Sequence, residues 1–299
     1  MIGLFDSGHG GLTVLKAVAR ALPGEALVYL GDHGHAPYGE RSSEEICALT
    51  THGVERLFEL GCKLVVLACN TASAVALRRI QQQWLPRRYS ERRVLGVLVP
   101  LVEAVTGIPW HQETPSKDET HEAVTVAIFA TSRTVTSGAY PEEIAKRAPW
   151  IRVVQQACPR LAAAIEEGRD EATLGRMIDG YVAELTAELG GKQPDWALLG
   201  CTHYPLVAEL FAARLPHASQ LHCQPSLVAN SLVDYLRRRP AFASGRAAGG
   251  TVTLYTTGDA ESCSQFASGF LGSAVRYRAL PPDAFESSEG SSSRASAKP

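Results

Sequence analysis

Short apolar runs recur along the chain, each closed by small or turn-forming residues and each followed by a longer stretch with helical spacing. They are IGLF, ALVYLG, KLVVLA, RVLGVLV, VTVAIFA, RVVQQA, WALLG and VTLYTTG. Their hydrophobicity is continuous rather than alternating, the pattern of strands covered on both faces. This confines the chain to α/β folds with mainly parallel sheets. The spacing predicts helices over 11–22, 42–60, 71–84, 141–147, 159–167, 171–190 and 205–215. Pro205 sits where a first helical turn tolerates its missing N–H.

A weak internal repeat narrows the architecture. MIGLF leads into Asp6-Ser7-Gly8, and VTVAIF leads into Thr131-Ser132 and Thr134. KLVVLA leads into Cys69-Asn70-Thr71, and WALLG leads into Cys201-Thr202-His203. The offsets, 125 from Asp6 to Thr131 and 132 from Cys69 to Cys201, suggest two pseudo-symmetric halves around a shared cleft. In parallel α/β sheets ligands bind beyond the carboxyl ends of the strands, where all four segments lie.

The 299 residues, 45% of them hydrophobic, suffice for two units of ordinary size. A formal net charge of -2 with no long run of like charge gives no footprint for nucleic acid or an anionic membrane. The expected partner is a small molecule, and a homodimer remains open. The start MIGLFDSGHGG has no basic region and too short an apolar stretch for a signal, and no membrane-length apolar run follows. A cytoplasmic protein is expected. Its seven cysteines are odd in number and lack CxxC spacing, so reduced thiols are expected. The polar stretch 111–122 is expected to be a surface loop, and the Ser-rich tail to be disordered.

The chemistry gathers at two cysteines. Cys69 follows an apolar strand and precedes Asn70-Thr71-Ala72-Ser73, polar residues suited to a helix N-terminus. The dipole and free N–H groups there are expected to lower the thiol's pKa. Cys201 repeats the arrangement, and His203 adds a proton partner. Taken alone, each cysteine is read first as an inert core residue. The duplication reverses that reading. Racemisation removes a proton from one face of a carbon and returns one to the other, so it needs an acid and a base on opposite sides. Two like residues related by pseudo-symmetry meet that demand without a cofactor. Ser7, Asn70, Thr71, Thr131, Thr134 and Thr202, with N–H groups beside Gly8, Gly10 and Gly11, outline an anion-binding rim, although each singly is also a plausible cap or turn residue. Asp6 fits a helix cap, an amino-group ligand, or a partner orienting a proton for Cys69.

These segments resemble the glutamate racemase family, within the wider aspartate/glutamate racemase group. The resemblance is carried by Asp6-Ser7-Gly8 with Gly10-Gly11, the stretch Tyr29–Gly39, Ala68-Cys69-Asn70-Thr71, and Gly200-Cys201-Thr202-His203-Tyr204-Pro205-Leu206. Weaker agreement runs through Thr131–Tyr140, Cys158–Gly168 and Thr257-Gly258-Asp259, so about residues 2–272 take part. The family implies two flavodoxin-like α/β domains facing each other across the active site, the second inserted in the first. On this chain that gives 1–96 plus 212–282 for one, 97–211 for the other, and a tail at 283–299. The resemblance implies that Cys69 acts on the D-enantiomer and Cys201 on the L-enantiomer, with Asp6 and His203 as their helpers and Glu166 a lesser candidate. Ser7, Pro37, Tyr38, Gly39, Asn70, Thr71, Thr131, Thr134 and Thr202 match substrate-contacting positions. It implies D-glutamate for peptidoglycan as the product, with no cofactor and no metal. In bland terms Pro37-Tyr38-Gly39 is a turn with a packed aromatic, and Glu166 a solvated helix residue.

Three departures bear on the substrate. His9 stands where the family usually has a small apolar residue, and is expected to be a partly exposed loop histidine. Ser132-Arg133 replaces a pattern that normally carries glycine; the arginine either pairs with a second carboxylate or faces solvent. The 111–122 loop is longer than usual. A racemase or cofactor-free decarboxylase acting on aspartate, a hydantoin or a malonate derivative is the near alternative. A metal-binding or regulatory protein is the distant one, since Cys69, Cys201, His203 and Asp6 match no common zinc spacing. DSGHGG lacks both phosphate-binding glycine patterns.

Overall fold

A computed structural model describes residues 1–110, 123–218, 220–244 and 250–280. The expected loop at 111–122 and tail at 283–299 lie outside these residues. The first part of the chain forms β1 (Ile2–Asp6), α1 (Leu12–Ala21), β2 (Leu27–Gly31), α2 (Ser43–Glu59), β3 (Leu64–Leu67), α3 (Asn70–Arg79), α4 (Leu85–Arg88), β4 (Arg93–Gly96) and α5 (Leu98–Thr106). The middle part forms β5 (Val124–Ala130), α6 (Ser132–Ser137), α7 (Ala139–Arg147), β6 (Ile151–Ala157), α8 (Leu161–Glu166), α9 (Glu171–Glu188), β7 (Trp196–Gly200), α10 (Ala208–Arg214) and β8 (Gln220–Cys223). The chain closes with α11 (Gln224–Arg238), β9 (Val252–Thr256), α12 (Ala260–Leu271) and β10 (Tyr277–Ala279).

Every ladder between these strands is parallel, as the continuous apolar runs require. The larger sheet has the order β10-β9-β2-β1-β3-β4, and the smaller β6-β5-β7-β8. The internal repeat is visible here: β2-β1-β3-β4 and β6-β5-β7-β8 are the same permutation. Order reverses between β1 and β3, and again between β5 and β7, which are the switch points where such sheets open a crevice. Asp6 and Cys69 end at the first, Thr131 and Cys201 at the second.

β8 carries residues 220–223 into the smaller sheet as its last strand, although 212–282 is expected to belong to the first unit. Its sequence QLHC is half-buried at an edge and therefore shows no apolar run. RVLGVLV is also corrected: only Arg93–Gly96 is strand, and Leu98 already begins α5. Pro205 lies in a single 3-10 turn, Tyr204–Val207, that precedes α10.

One apolar cluster joins the two sheets. It runs from Leu4 and Val66 through Leu101 on α5 and Leu232 on α11 to Val126 and Ile128. Separate clusters lie on the outer faces, around Phe5, Phe58 and Leu67 on one side and Phe129, Leu199 and Phe211 on the other. The helices between the sheets thus fix how the two sets of strand ends face each other.

Candidate active site

Cys69 is itself the N-cap of α3: its sulfur accepts the Ala72 N–H at 3.4 Å. Ser7, at the end of β1, reaches the same sulfur at 3.5 Å. Burial nevertheless wins over the helix terminus. With a carboxylate at Asp6 adding to it, burial pushes the thiol up to about 12, against the expected lowering. A negative charge at Cys201 would act in the same direction. Each cysteine is 5% exposed.

Cys201 sits beside a different partner. Its sulfur lies 3.6 Å from His203 Nδ1, and His203 Nε2 lies 2.7 Å from Glu166 Oε1. Burial opposes a charged imidazole here, but contact with Cys201 and Glu166 outweighs it and holds His203 well above its ordinary value. Burial likewise opposes the Glu166 carboxylate, yet His203 brings it down to about 2. Glu166 is therefore no solvated helix residue: it anchors the histidine and also accepts the His9 backbone N–H at 3.4 Å. Sequence reasoning undervalued it because one turn of α8 gives no sign of what it faces.

Asp6 is fully buried, and burial raises its carboxyl to about 6 against the pull of His203 and the N–H groups of Gly8 and Gly11. One oxygen accepts the Gly8 N–H at 2.9 Å, and the other has no partner. It closes a turn rather than capping α1, whose N-cap is Gly11. The tight loop packs directly on the second set of strand ends. A β-carbon on Gly10 would lie 2.3 Å from Thr202 Oγ1 and 2.5 Å from His203 Cε1. Thr13 also donates to the Thr202 carbonyl at 3.1 Å.

Opposite this contact, three hydroxyls from both units meet. Thr71 lies 3.0 Å from Thr131 and 3.3 Å from Thr134, and Thr131 and Thr134 are 3.1 Å apart. Gly39 comes against Thr131, where a β-carbon would be 3.3 Å away. Asn70 is different. Its amide nitrogen donates to Gln224 Oε1 at 2.6 Å, and its oxygen accepts from Tyr140 at 2.8 Å. That side chain is spent inside the protein, leaving its backbone N–H at the start of α3 as what it can offer an anion. Pro37 is exposed, whereas Tyr38 is buried and donates to Asp32 at 2.6 Å. Asp32 also receives His35 at 2.8 Å and Thr257 at 2.7 Å, so it is the unanticipated hub of this loop.

A separate groove of about 700 Å³ lies between α3, α5, α7 and α11, with Arg78, Glu142 and Lys146 in its wall, and neither Cys69 nor Cys201 lines it. Paired thiols with distinct partners at the two switch points, rather than cavity size, single out the cysteine cleft.

No family model matches the chain. A protein named glutamate racemase from Jannaschia sp. (strain CCS1) is 45% identical over 279 residues, which are 93% of this chain and 99% of that one. The chain belongs to the glutamate racemase family. A glutamate racemase from Caulobacter sp. (strain K31) is 44% identical over 283 residues, again 93% of this chain and 99% of the relative. Solved glutamate racemases share the fold. Isoform RacE1 from Bacillus anthracis superposes with a TM-score of 0.79 at 27% identity, covering 94% of this chain and 97% of that one. The Francisella tularensis glutamate racemase, solved in complex with D-glutamate, gives 0.77 at 26% identity over 96% and 98% of the two chains. Membership makes the protein an amino-acid racemase, an isomerase. No helix among the described residues is long and apolar enough to cross a membrane.

Proposed function

We propose that the protein interconverts L- and D-glutamate by passing the α-proton between Cys69 and Cys201 without a cofactor, and that it supplies D-glutamate for peptidoglycan in the cytoplasm. The observation that carries this reading is the unequal partnering of two thiols at equivalent strand ends. His203, 3.6 Å from the Cys201 sulfur and held well above its ordinary value, is placed to exchange a proton with that thiol, while burial keeps the proton on Cys69. Cys201 with His203 then serves as the base on the L side, and Cys69 as the acid on the D side. Cys201 takes the proton of L-glutamate, and Cys69 protonates the opposite face. For the reverse direction Asp6, with one free oxygen and a carboxyl near 6, receives the Cys69 proton. The substrate carboxylate would replace the mutual bonds of Thr71, Thr131 and Thr134, supported by helix-start N–H groups. Ser7, Thr202 and the Pro37-Tyr38-Gly39 turn complete the substrate pocket.

Incubation of each enantiomer of glutamate in deuterated water, followed by circular dichroism and mass spectrometry, tests this. Loss of optical activity with one deuteron entering Cα is expected from both sides. Cys69→Ser and Cys201→Ser should each lower turnover by at least ~10²-fold while retaining the fold. Near-normal rates in both variants would refute the two-thiol mechanism, and racemisation of aspartate but not glutamate would refute the substrate.

A further inference from the structure

His9 packs its ring against His33, just after β2, and against α12. Its Nδ1 lies 3.0 Å from His33 Nε2, and its ring stacks on Phe266 with centroids 4.1 Å apart. Tyr277 closes the cluster edge-on against both imidazoles. His9 is thus half-buried in its loop, as expected, but held there by His33 and Phe266. Cys263, one turn into α12, completes the cluster: the ligand atoms of His9, His33 and Cys263 all lie within 4.8 Å of one another. None of the three has a part in the proposed proton transfer.

The surrounding hydrogen bonds set the chemistry of this cluster. His33 Nδ1 faces the Gly31 carbonyl at 3.0 Å and Thr256 Oγ1 at 2.8 Å. A carbonyl only accepts, so Nδ1 carries the proton and Nε2 presents its lone pair to His9. The Thr256 hydroxyl, accepting from His33, is left to donate to Cys263 Sγ at 3.5 Å, the support a thiolate needs. Burial, helped by the neighbouring His33, brings His9 down to about 4, and burial also lowers His33. A neutral imidazole is the form that coordinates metal, and the Gly31 carbonyl leaves His33 Nε2 as the free ring nitrogen facing His9.

We propose that His9 Nδ1, His33 Nε2 and Cys263 Sγ form a second, non-catalytic site for a borderline-soft divalent cation, zinc by preference, with water as the fourth ligand. Two imidazoles and one thiolate are a donor set that suits zinc and cobalt and disfavours magnesium and calcium. With zinc–nitrogen bonds of about 2.0–2.1 Å, tetrahedral geometry separates two nitrogens by roughly 3.3 Å, so the nitrogens part by a few tenths of an ångström while the rings, now 4.0 Å apart between centroids, turn to aim both lone pairs at the metal. On binding, the Cys263 thiol releases its proton to solvent, and the His9 proton moves from Nδ1 to Nε2. His33 keeps its Nδ1–H on the Gly31 carbonyl, an outer contact that fixes a ligating ring. The metal would tie the Ser7–Gly11 loop to α12, and that loop contacts Glu166 through the His9 N–H.

Titration of the full, phosphine-reduced chain with Co²⁺ tests the site without reference to turnover, so its outcome and that of the racemase reading are separable. One equivalent should bind with tetrahedral visible bands and a thiolate-to-cobalt charge-transfer band, both erased by Zn²⁺. Cys263→Ser should lose the charge-transfer band while keeping metal-free racemase activity and far-ultraviolet circular dichroism. His33→Gln should weaken binding at least about tenfold. The bands should survive in Cys69→Ser and in Cys201→Ser. Absence of the charge-transfer band from the unsubstituted protein, its persistence in both Cys263→Ser and His33→Gln, or its loss in either active-site variant would overturn the proposal.

Discussion

Asp6 and Glu166 carry the same functional group and are pushed in opposite directions, which makes them separable by pH. Glu166 falls from 4.5 to about 2 because His203 more than repays its burial, so its contribution to stability is complete above about 4.5 and is lost as pH falls toward 2. Asp6 rises from 3.8 to about 6 chiefly through burial. Its neutral form is favoured by folding, so that contribution is present below 3.8 and is lost as pH rises through about 6. Asp6→Asn should therefore raise the melting temperature at pH 8 yet lower kcat/KM for D-glutamate roughly 10²-fold, with a smaller loss for L-glutamate. In the unsubstituted protein kcat/KM for D-glutamate should fall as pH drops through about 6, and the variant should lack that inflection. A symmetrical loss in both directions would remove Asp6 from the Cys69 side. Glu166→Gln should show the opposite bias, because it deprives His203 and hence Cys201 of their anion, and a pH–rate comparison of the two variants reads this directly.

At the level of elements, the loop positions depend on how closely α2 and α1 approach the larger sheet. α2 begins at a capping box in which Ser42 and Glu45 satisfy each other's backbone N–H groups, so its start is fixed locally. Its seat on the sheet depends on Gly53, where a β-carbon would come 2.1 Å from Cε2 of fully buried Phe5. Phe5 directly precedes Asp6, so displacing it disturbs the strand end that carries the acid. Gly53→Ala brings a helix-propensity gain of about 1 kcal/mol but overpacking of about 1–3 kcal/mol. A net loss of up to about 2 kcal/mol is expected, read as a lower urea midpoint with an unchanged slope. An unchanged or raised midpoint would mean that the sheet yields at this contact.

Across the whole molecule, the cleft geometry is held by a buried amide pair as well as by the apolar seam. Asn70 on α3, Tyr140 on α7 and Gln224 at the start of α11 tie together the thiol-bearing helix, the other unit and the connection between them. Gln224→Ala leaves the Asn70 amide nitrogen buried without this partner, at a cost of about 1–3 kcal/mol. Because Asn70 adjoins Cys69, the change should also raise KM for both enantiomers. Denaturant unfolding together with steady-state kinetics measures both effects; a stability loss with unaltered KM would confine the network to a structural role.

The sequence by itself determined the parallel α/β class, the duplicated strand–cysteine–helix junctions and the likeness to a racemase family, because continuous apolar runs and their polar termini are local properties. It also placed Asp6, the threonines and the cysteines at strand ends, which follows from where those runs stop. Tertiary structure alone decided what each side chain meets there. The rise of the Cys69 thiol comes from burial between two units, which no window around Ala68-Cys69-Asn70 contains. Glu166 gains its role from His203 across a gap of 37 positions, and Asn70 loses its side chain to Gln224 154 positions away. Strands β8 and β10 escaped notice because half-buried edge strands need few apolar residues. His9, His33 and Cys263 come together only because β1, β2 and β9 are neighbours in one sheet, an adjacency set by long-range packing and not by local propensity.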